Sequence, residues 1–356
     1  MPESVRSVPT QLMLDLPSPT ATDDVTASPE LDIDSYDHIV ICLSGGKDSI
    51  ACLLYTLELT EKRSTIELWH HDVDGREGST LMDWPFMADY IRKIAATFEL
   101  PVYFSWLVGG FEGEMLKQNA ASNPHITETP DGTITLPRDS RRMALSTRMR
   151  FPQVSASLQT RWCSSALKID VARRALNNQS RFNNSRTLFI TGERREESSN
   201  RAKYYAFEPH ACDRRKGRLK RHIDTWRPVL DWTEQQVWEC LRRNGFIQPV
   251  PYRLGWSRSS CRTCIYNSDT IWATIDRYFP ESAKEIAAYE KRFNTTISRS
   301  KRDVLSRAAT TTPIDIDDLE ALAQASRPDY TLPILCNPAD WLIPKGALSR
   351  SSCGPD

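Results

Sequence analysis

Apolar positions change their period several times along the chain, and each change predicts an element. "HIVICL" (38–43) is a short continuous apolar run, the pattern of a strand buried on both faces. "DSIACLLYTLEL" (48–59) carries apolar residues at helical spacing. "TIELWHHDVD" (65–74) reads as a strand ending in polar residues, "PFMADYIRKIAATFEL" (85–100) as an amphipathic helix, and "PVYFSWLV" (101–108) as a strand. "SSALKIDVARRAL" (164–176) predicts a helix and "TLFITG" (187–192) a strand. "WTEQQVWECLRRNG" (232–245) predicts a helix that Thr233 caps, with Gln236 three residues on. Helical patterning returns over 269–325. Residues 1–34 are rich in Ser, Thr, Pro and Asp without a period, which predicts a disordered tail. A short docking motif at "LMLDLP" (12–17) is the alternative. The weakly periodic span 109–160 predicts an insertion or lid.

Strands alternating with helices predict an α/β fold: a parallel sheet with helices on both faces, followed by a C-terminal helical module. The expected organisation is the tail (1–34), an α/β domain (35–260) with the insertion 109–160, and a Cys-containing, mainly helical module (261–356). In such sheets ligands lie beyond the carboxyl ends of the strands. The polar clusters of this chain fall at those ends.

One cluster is "SGGKDS" (44–49), between a strand and a helix. Backbone N–H groups there can wrap an anionic oxygen, and the helix start adds about half a positive charge. Gly45 and Gly46 let the backbone come close, Lys47 adds a charge, and Ser44 and Ser49 can donate. Asp48 would repel phosphate alone, so its natural partner is Mg²⁺ shared with phosphates. The spacing is neither the Walker pattern nor the dinucleotide fingerprint. An ordinary glycine turn is the bland reading.

The loop resembles the pyrophosphate-binding loop of the ATP-pyrophosphatase (PP-loop) and phosphoadenylyl-sulfate reductase superfamily. Three further stretches match in the same order. "TRWCSSALK" (160–168) is similar to the family's Arg-x-Cys-x-x-x-x-Lys segment at Arg161, Cys163 and Lys168. "TGERREESSNR" (191–201) is similar to its Gly-x-Arg-x-x-Glu-Ser-x-x-Arg pattern at Gly192, Arg194, Glu197, Ser198 and Arg201. "YRLGWSRSSCRTCIY" (252–266) supplies the Cys261-x-x-Cys264 pair. The resemblance covers roughly residues 38–270. It implies a five-stranded parallel sheet of the adenine-nucleotide α-hydrolase kind. It also implies ATP cleavage between the α and β phosphates, with Lys47, Asp48, Arg194 and Arg201 catalytic. Where the family has an Asp-Thr-Gly-like signature, this chain has Asp72-Val73-Asp74-Gly75, and Asp72 or Asp74 would accept from ribose or adenine.

Cys261 and Cys264 alone fit a redox dithiol, half a zinc site or part of an iron–sulfur site. The resemblance implies a [4Fe–4S] cluster with Cys163 as third ligand. The family's Cys-Cys pair is Cys163-Ser164 here, so one iron would stay open to sulfur. Cys353-Gly354 looks like the mobile tail cysteine of the reductases, but the neighbouring residues of that motif are missing.

Composition narrows the partners. Formal net charge is zero, yet residues 138–222 hold 21 Lys/Arg against 7 Asp/Glu. Such a region suits a nucleic-acid backbone, with Tyr204, Tyr205, Trp226 and Trp256 able to stack bases. No run approaches the length of a membrane span, and no secretory signal is expected. Nine irregularly spaced cysteines then suggest a reducing, cytoplasmic setting. The closest resemblance is to the ATP pyrophosphatases of DNA phosphorothioation. That implies an AMP-transferring enzyme acting with a cysteine desulfurase or other sulfur donor and further modification subunits. The alternatives are a sulfonucleotide reductase and a non-catalytic nucleotide-binding subunit.

Overall fold

Ile39, Val40 and Ile41 are fully buried in β1 (His38–Cys42), as a strand covered on both faces requires. The computed structural model that shows this describes residues 31–138 and 144–348. The tail up to residue 30, its "LMLDLP" segment, Arg141, Arg142 and Cys353 lie outside the described residues. Ile33, at the start of a short helical turn, is buried.

After β1 come α1 (Lys47–Leu59), β2 (Ile66–Asp72), α2 (Met87–Thr97), β3 (Val102–Leu107) and α3 (Gly110–Met115). A hairpin of β4 (His125–Thr129) and β5 (Gly132–Leu136) follows. A short turn, α4 (Trp162–Ser164), leads through one wide π-type turn (Ser165–Ile169) into α5 (Asp170–Asn178). Then come β6 (Arg186–Ile190), β7 (Phe207–Pro209) and β8 (His222–Trp226). The remainder is helical: α6 (Glu234–Arg243), α7 (Val250–Arg253), α8 (Asp269–Tyr278), α9 (Pro280–Phe293), α10 (Val304–Ala308) and α11 (Leu319–Ala325).

The sheet has eight strands in the order β5-β4-β3-β2-β1-β6-β8-β7, not five. The five expected parallel strands are its centre: β3, β2, β1, β6 and β8. Antiparallel β4 and β5 extend one side and β7 the other. The extra pair comes from the span read as a weakly periodic insertion. Its Pro130-Asp131-Gly132 corner is a turn sequence, and Gly132 takes φ 116° there.

α5 covers the sheet face that carries Val40, Trp69, Phe189 and Ile223, inserting Ala172, Ala175 and Leu176. Small residues let the helix approach while Phe182 fills the space beside it. α6 packs against α1. Its start is the box expected from the sequence: the Thr233 hydroxyl accepts from the Gln236 N–H at 3.2 Å, and the Gln236 side chain accepts from the Thr233 N–H at 2.7 Å. Such a box stabilises a helix by about 1 kcal/mol.

Candidate active site

The chain runs from β1 through β2 to β3 on one side, then returns to β6 on the other side of β1. That reversal opens a crevice at the carboxyl ends of β1 and β6, where open α/β sheets hold ligands. Residues 44–49 form one wall and residues 192–201 the other.

Gly45 takes φ 78°, and a Cβ there would meet Met87 Sδ at 2.7 Å, so the position needs glycine. Gly46 is the N-cap of α1 and supplies no side-chain cap. The positive end of the helix therefore faces the crevice without a capping oxygen. Ser49 Oγ donates to the Gly46 carbonyl at 2.9 Å and accepts from the Ser44 N–H at 3.2 Å, which fixes the loop. Ser44 is exposed at the mouth. Across the crevice Gly192 packs on the first turn of α1. A Cβ at Gly192 would lie 3.0 Å from the Asp48 carbonyl carbon.

Two cations meet one carboxylate here. Lys47 Nζ is 3.1 Å from Asp48 Oδ2, and Arg194 Nε donates to Asp48 Oδ1 at 2.5 Å. Burial pushes the Asp48 carboxyl up, but Lys47 and Arg194 outweigh it and hold it below the usual carboxylate range. Burial likewise pushes the Lys47 amine down, and Asp48, Tyr252 and Glu234 reverse that, keeping it charged. Lys47 also lies 3.7 Å from Glu234 Oε1 and 5.4 Å above the Tyr252 ring. Arg194 Nη1 reaches Glu196 at 2.7 Å.

The other residues of the second wall serve its shape. Glu197 accepts from the Arg194 backbone N–H at 2.8 Å and pairs with Arg201. Ser198 Oγ accepts from the Arg201 N–H at 3.3 Å. Arg201 is thus held by Glu197 and does not share Asp48 with Arg194.

Beyond β2 the two aspartates separate. Asp72 is held by Arg76 Nε at 2.8 Å and lies 3.6 Å from His70 Nε2. Asp74 turns away to accept the Met82 and Asp83 N–H groups, at 3.0 and 2.7 Å on Oδ2. Burial pushes Asp74 up to about 7. Such a proton favours the folded state fully below the ordinary Asp range. The contribution is lost as pH rises from about 4 through 7, at up to about 1.4 kcal/mol per unit. Asp74→Asn keeps one oxygen for both N–H groups. It is expected to flatten that loss, and urea unfolding at pH 5 and 7.5 measures it. An equal pH dependence in both proteins would count against a buried proton on Asp74.

Ser259, just before the cysteine turn, touches the nucleotide loop. Ser259 Oγ lies 3.5 Å from the Gly45 carbonyl, and Ser259 is two residues from Cys261. Two residues span at most about 7 Å, which bounds the distance from Ser259 to Cys261. The turn is fastened to the 81–84 segment: Thr263 Oγ1 donates to the Leu81 carbonyl at 2.7 Å and Trp84 Nε1 to the Ser260 carbonyl at 2.9 Å. Cys264 N–H donates to the Cys261 carbonyl at 3.2 Å. Cys163 arrives from α4, where Arg161 donates to the Tyr266 hydroxyl at 2.9 Å. Burial and neighbouring Cys264 push the Cys163 thiol up to about 11. Burial and Asp83 raise Cys261. Lys168 lowers both thiols, but burial wins.

The fold therefore brings residues 44–49, Gly192 and Arg194 together, with Ser259 of the cysteine segment against the loop and Cys163 near Cys264. It leaves Asp74, Glu197, Ser198 and Arg201 on local tasks. Glu234, Tyr252, Ser259 and Asp83 were not singled out in the sequence. Glu234 had a signal, because it is the first residue after the Thr233 cap at a carboxyl edge. The others are set by tertiary packing.

Mg²⁺ is held through one or two carboxylates plus substrate phosphates, and Asp48 fits that role. The expected cluster fits less well. Among the described residues no three His, Cys, Asp or Glu side chains are placed to hold a metal ion. Burial raises the Cys163 and Cys261 thiols, whereas cluster ligands are thiolates.

A parallel α/β sheet with an uncapped glycine loop at its reversal point is consistent with a nucleotide-binding fold. Residues 139–267 match the phosphoadenosine phosphosulfate reductase domain, which places that stretch in the PP-loop ATP pyrophosphatase and phosphoadenosine phosphosulfate reductase superfamily. The family of the matched domain is one of nucleotide-processing enzymes. An uncharacterized 37.8 kDa protein of Escherichia phage 186 is 26% identical over 284 residues, 74% of this chain and 80% of that protein. An uncharacterized protein of Methanocaldococcus jannaschii is 27% identical over 133 residues, 37% of this chain but only 29% of its own length. Candida glabrata FMN adenylyltransferase in complex with ATP aligns at 11% identity over 90% of this chain and 80% of that one. Its TM-score of 0.37 is too low to carry an argument. Among the described residues no helix is long and apolar enough to cross a membrane.

Proposed function

We propose that this enzyme cleaves ATP between the α and β phosphates to adenylylate a nucleic-acid acceptor for sulfur incorporation. The acceptor is a DNA backbone phosphate, and the product a phosphorothioate. The observation that supports the reading is the contact of Ser259, two residues before Cys261, with the nucleotide loop.

An acceptor oxygen attacks the α-phosphorus, the α–β bridging P–O bond breaks, and pyrophosphate leaves. The α1 start and Lys47 stabilise the charge on the leaving group, and Arg194 clamps it through its planar guanidinium. Asp48 would hold a Mg²⁺, which would supply neutralisation of phosphate charge. Lys47 and Arg194, both paired with Asp48, are the cations within reach of bound phosphates. Sulfane sulfur brought by a cysteine desulfurase or another donor and held as a persulfide on one of Cys163, Cys261 and Cys264 attacks the activated phosphorus, and a second of these thiols then breaks the S–S bond, forming a disulfide that an external thiol reductant reopens. AMP departs with the acceptor oxygen.

The test is a product assay with α-labelled ATP and Mg²⁺. AMP and pyrophosphate are expected, and both are lost in Lys47→Ala. ADP as product would sink the assignment. The family match favours one second reading, a sulfonucleotide reductase. That enzyme would turn over adenylylated sulfate with a thiol reductant, and Cys353→Ser would abolish the turnover.

A further inference from the structure

The basic region is not one surface. Its densest part, residues 214–221, is the tip of the β7–β8 hairpin. β8 runs parallel to β6, with Arg186 opposite His222, so the turn preceding His222 lies at the amino edge of the sheet. The nucleotide loop leaves the carboxyl edge. β1 has five residues between the two edges, about 16 Å at about 3.3 Å per residue. A phosphate lying on the tip is therefore not the phosphate that reacts.

The tip is built to present charge. Six of its eight residues are Arg or Lys. Two brace it from inside: Arg215 bridges Asp213, at 2.9 Å, and Asp224, while Arg221 donates to Asn177 at 2.6 Å and Asn183 at 2.9 Å. Arg214, Lys216, Arg218 and Lys220 are exposed. Among the described residues, the side chains of Lys216, Arg218 and Lys220 have no hydrogen-bond or ion-pair partner. Beside them is a depression of about 400 Å³ lined by Pro209, Asp213, Arg214, Arg215, Lys216 and Gly217. Leu219, 65% exposed, is the one large apolar residue of the tip. A protein interface needs an apolar or aromatic centre, which this surface lacks. Its unpaired cations suit a partner recognised by charge.

We propose that the hairpin tip is a docking site for the phosphodiester backbone of a nucleic acid, separate from the crevice where the chemistry occurs. The choice of nucleic acid rests on the proposed function, but the binding does not need turnover.

The full chain and a Lys216→Glu/Arg218→Glu/Lys220→Glu variant would be titrated with labelled single- and double-stranded DNA, without ATP, at 50–200 mM salt. Each phosphate contact contributes about −0.9 to the slope of log K against log salt on duplex DNA. Removing three contacts is expected to reduce the slope by about 3. Across that range the wild type should lose about 40-fold more affinity than the variant. ATP affinity, unchanged in the variant, shows that it folds. Equal affinity and slope in the two proteins would overturn the proposal. So would DNA failing to bind while phosphatidylserine vesicles retain the wild type. Tip-dependent DNA binding without AMP formation would fail the catalytic reading alone.

Discussion

Asp48→Ala is expected to slow AMP formation about 10³-fold and to destabilise the protein by about 3–5 kcal/mol. Both effects have one cause. The Lys47 and Arg194 side chains are only 6% and 5% exposed, and Asp48 is the carboxylate they share. Removing it leaves two buried cations facing each other, and a third group cannot easily relieve them. Glu196 already holds the other arm of Arg194, and Glu234 is 3.7 Å from Lys47. Asp48→Asn separates shape from charge. Its amide oxygen still accepts from Arg194, so the loop geometry should survive better while the site for the metal is lost. Stability is expected to recover in part and AMP formation to stay low. The charge argument also fixes a pH direction. Asp48 is held below the ordinary range, so its contribution is present at neutral pH. It is lost as pH falls through the folded-state value. Urea unfolding and single-turnover AMP formation read the two effects independently. Wild-type AMP formation by the alanine variant would remove Asp48 from the mechanism.

The continuous parts of this architecture were legible. β1 is an unbroken apolar run because both its faces are covered, and the glycine loop follows it in the chain. What the sequence hid is convergence. Arg194 meets Asp48 across 146 positions, and Ser259 reaches Gly45 across 214. No local period encodes either contact. β7 has three residues and exists only by pairing with β8, so no pattern could reveal it. The β4–β5 hairpin was different, since "HITETPDGTITL" contains both a turn and alternation. It was obscured by the irregular residues that follow within the same span. The basic region misled in another way. Contiguous in the chain, it is divided in space between the two edges of the sheet, because a parallel strand returns each loop to alternate edges.

Gly192→Val is expected to reduce AMP formation by more than about 100-fold while leaving the folded chain largely intact. An alanine Cβ would already sit 3.0 Å from the Asp48 carbonyl carbon and 3.1 Å from the Ser49 nitrogen. Those neighbours are backbone at the first turn of α1, so they cannot rotate aside as a side chain would. The loop must move by a few tenths of an ångström for alanine and further for valine. A displacement near 1 Å at a reacting centre costs about 10²-fold. The core strands are untouched by the change, since Ile190 and Ile41 lie behind it in the sheet. The expected pattern is therefore graded: a modest loss for alanine, a large loss for valine, and much smaller changes in unfolding midpoint. ATP affinity should weaken in the same order, because the N–H groups that cradle the phosphates move with the turn. An active, wild-type-like Gly192→Val protein would mean that the second wall of the crevice does not set the position of the first. The pairing of Arg194 with Asp48 would then be packing and not part of the site.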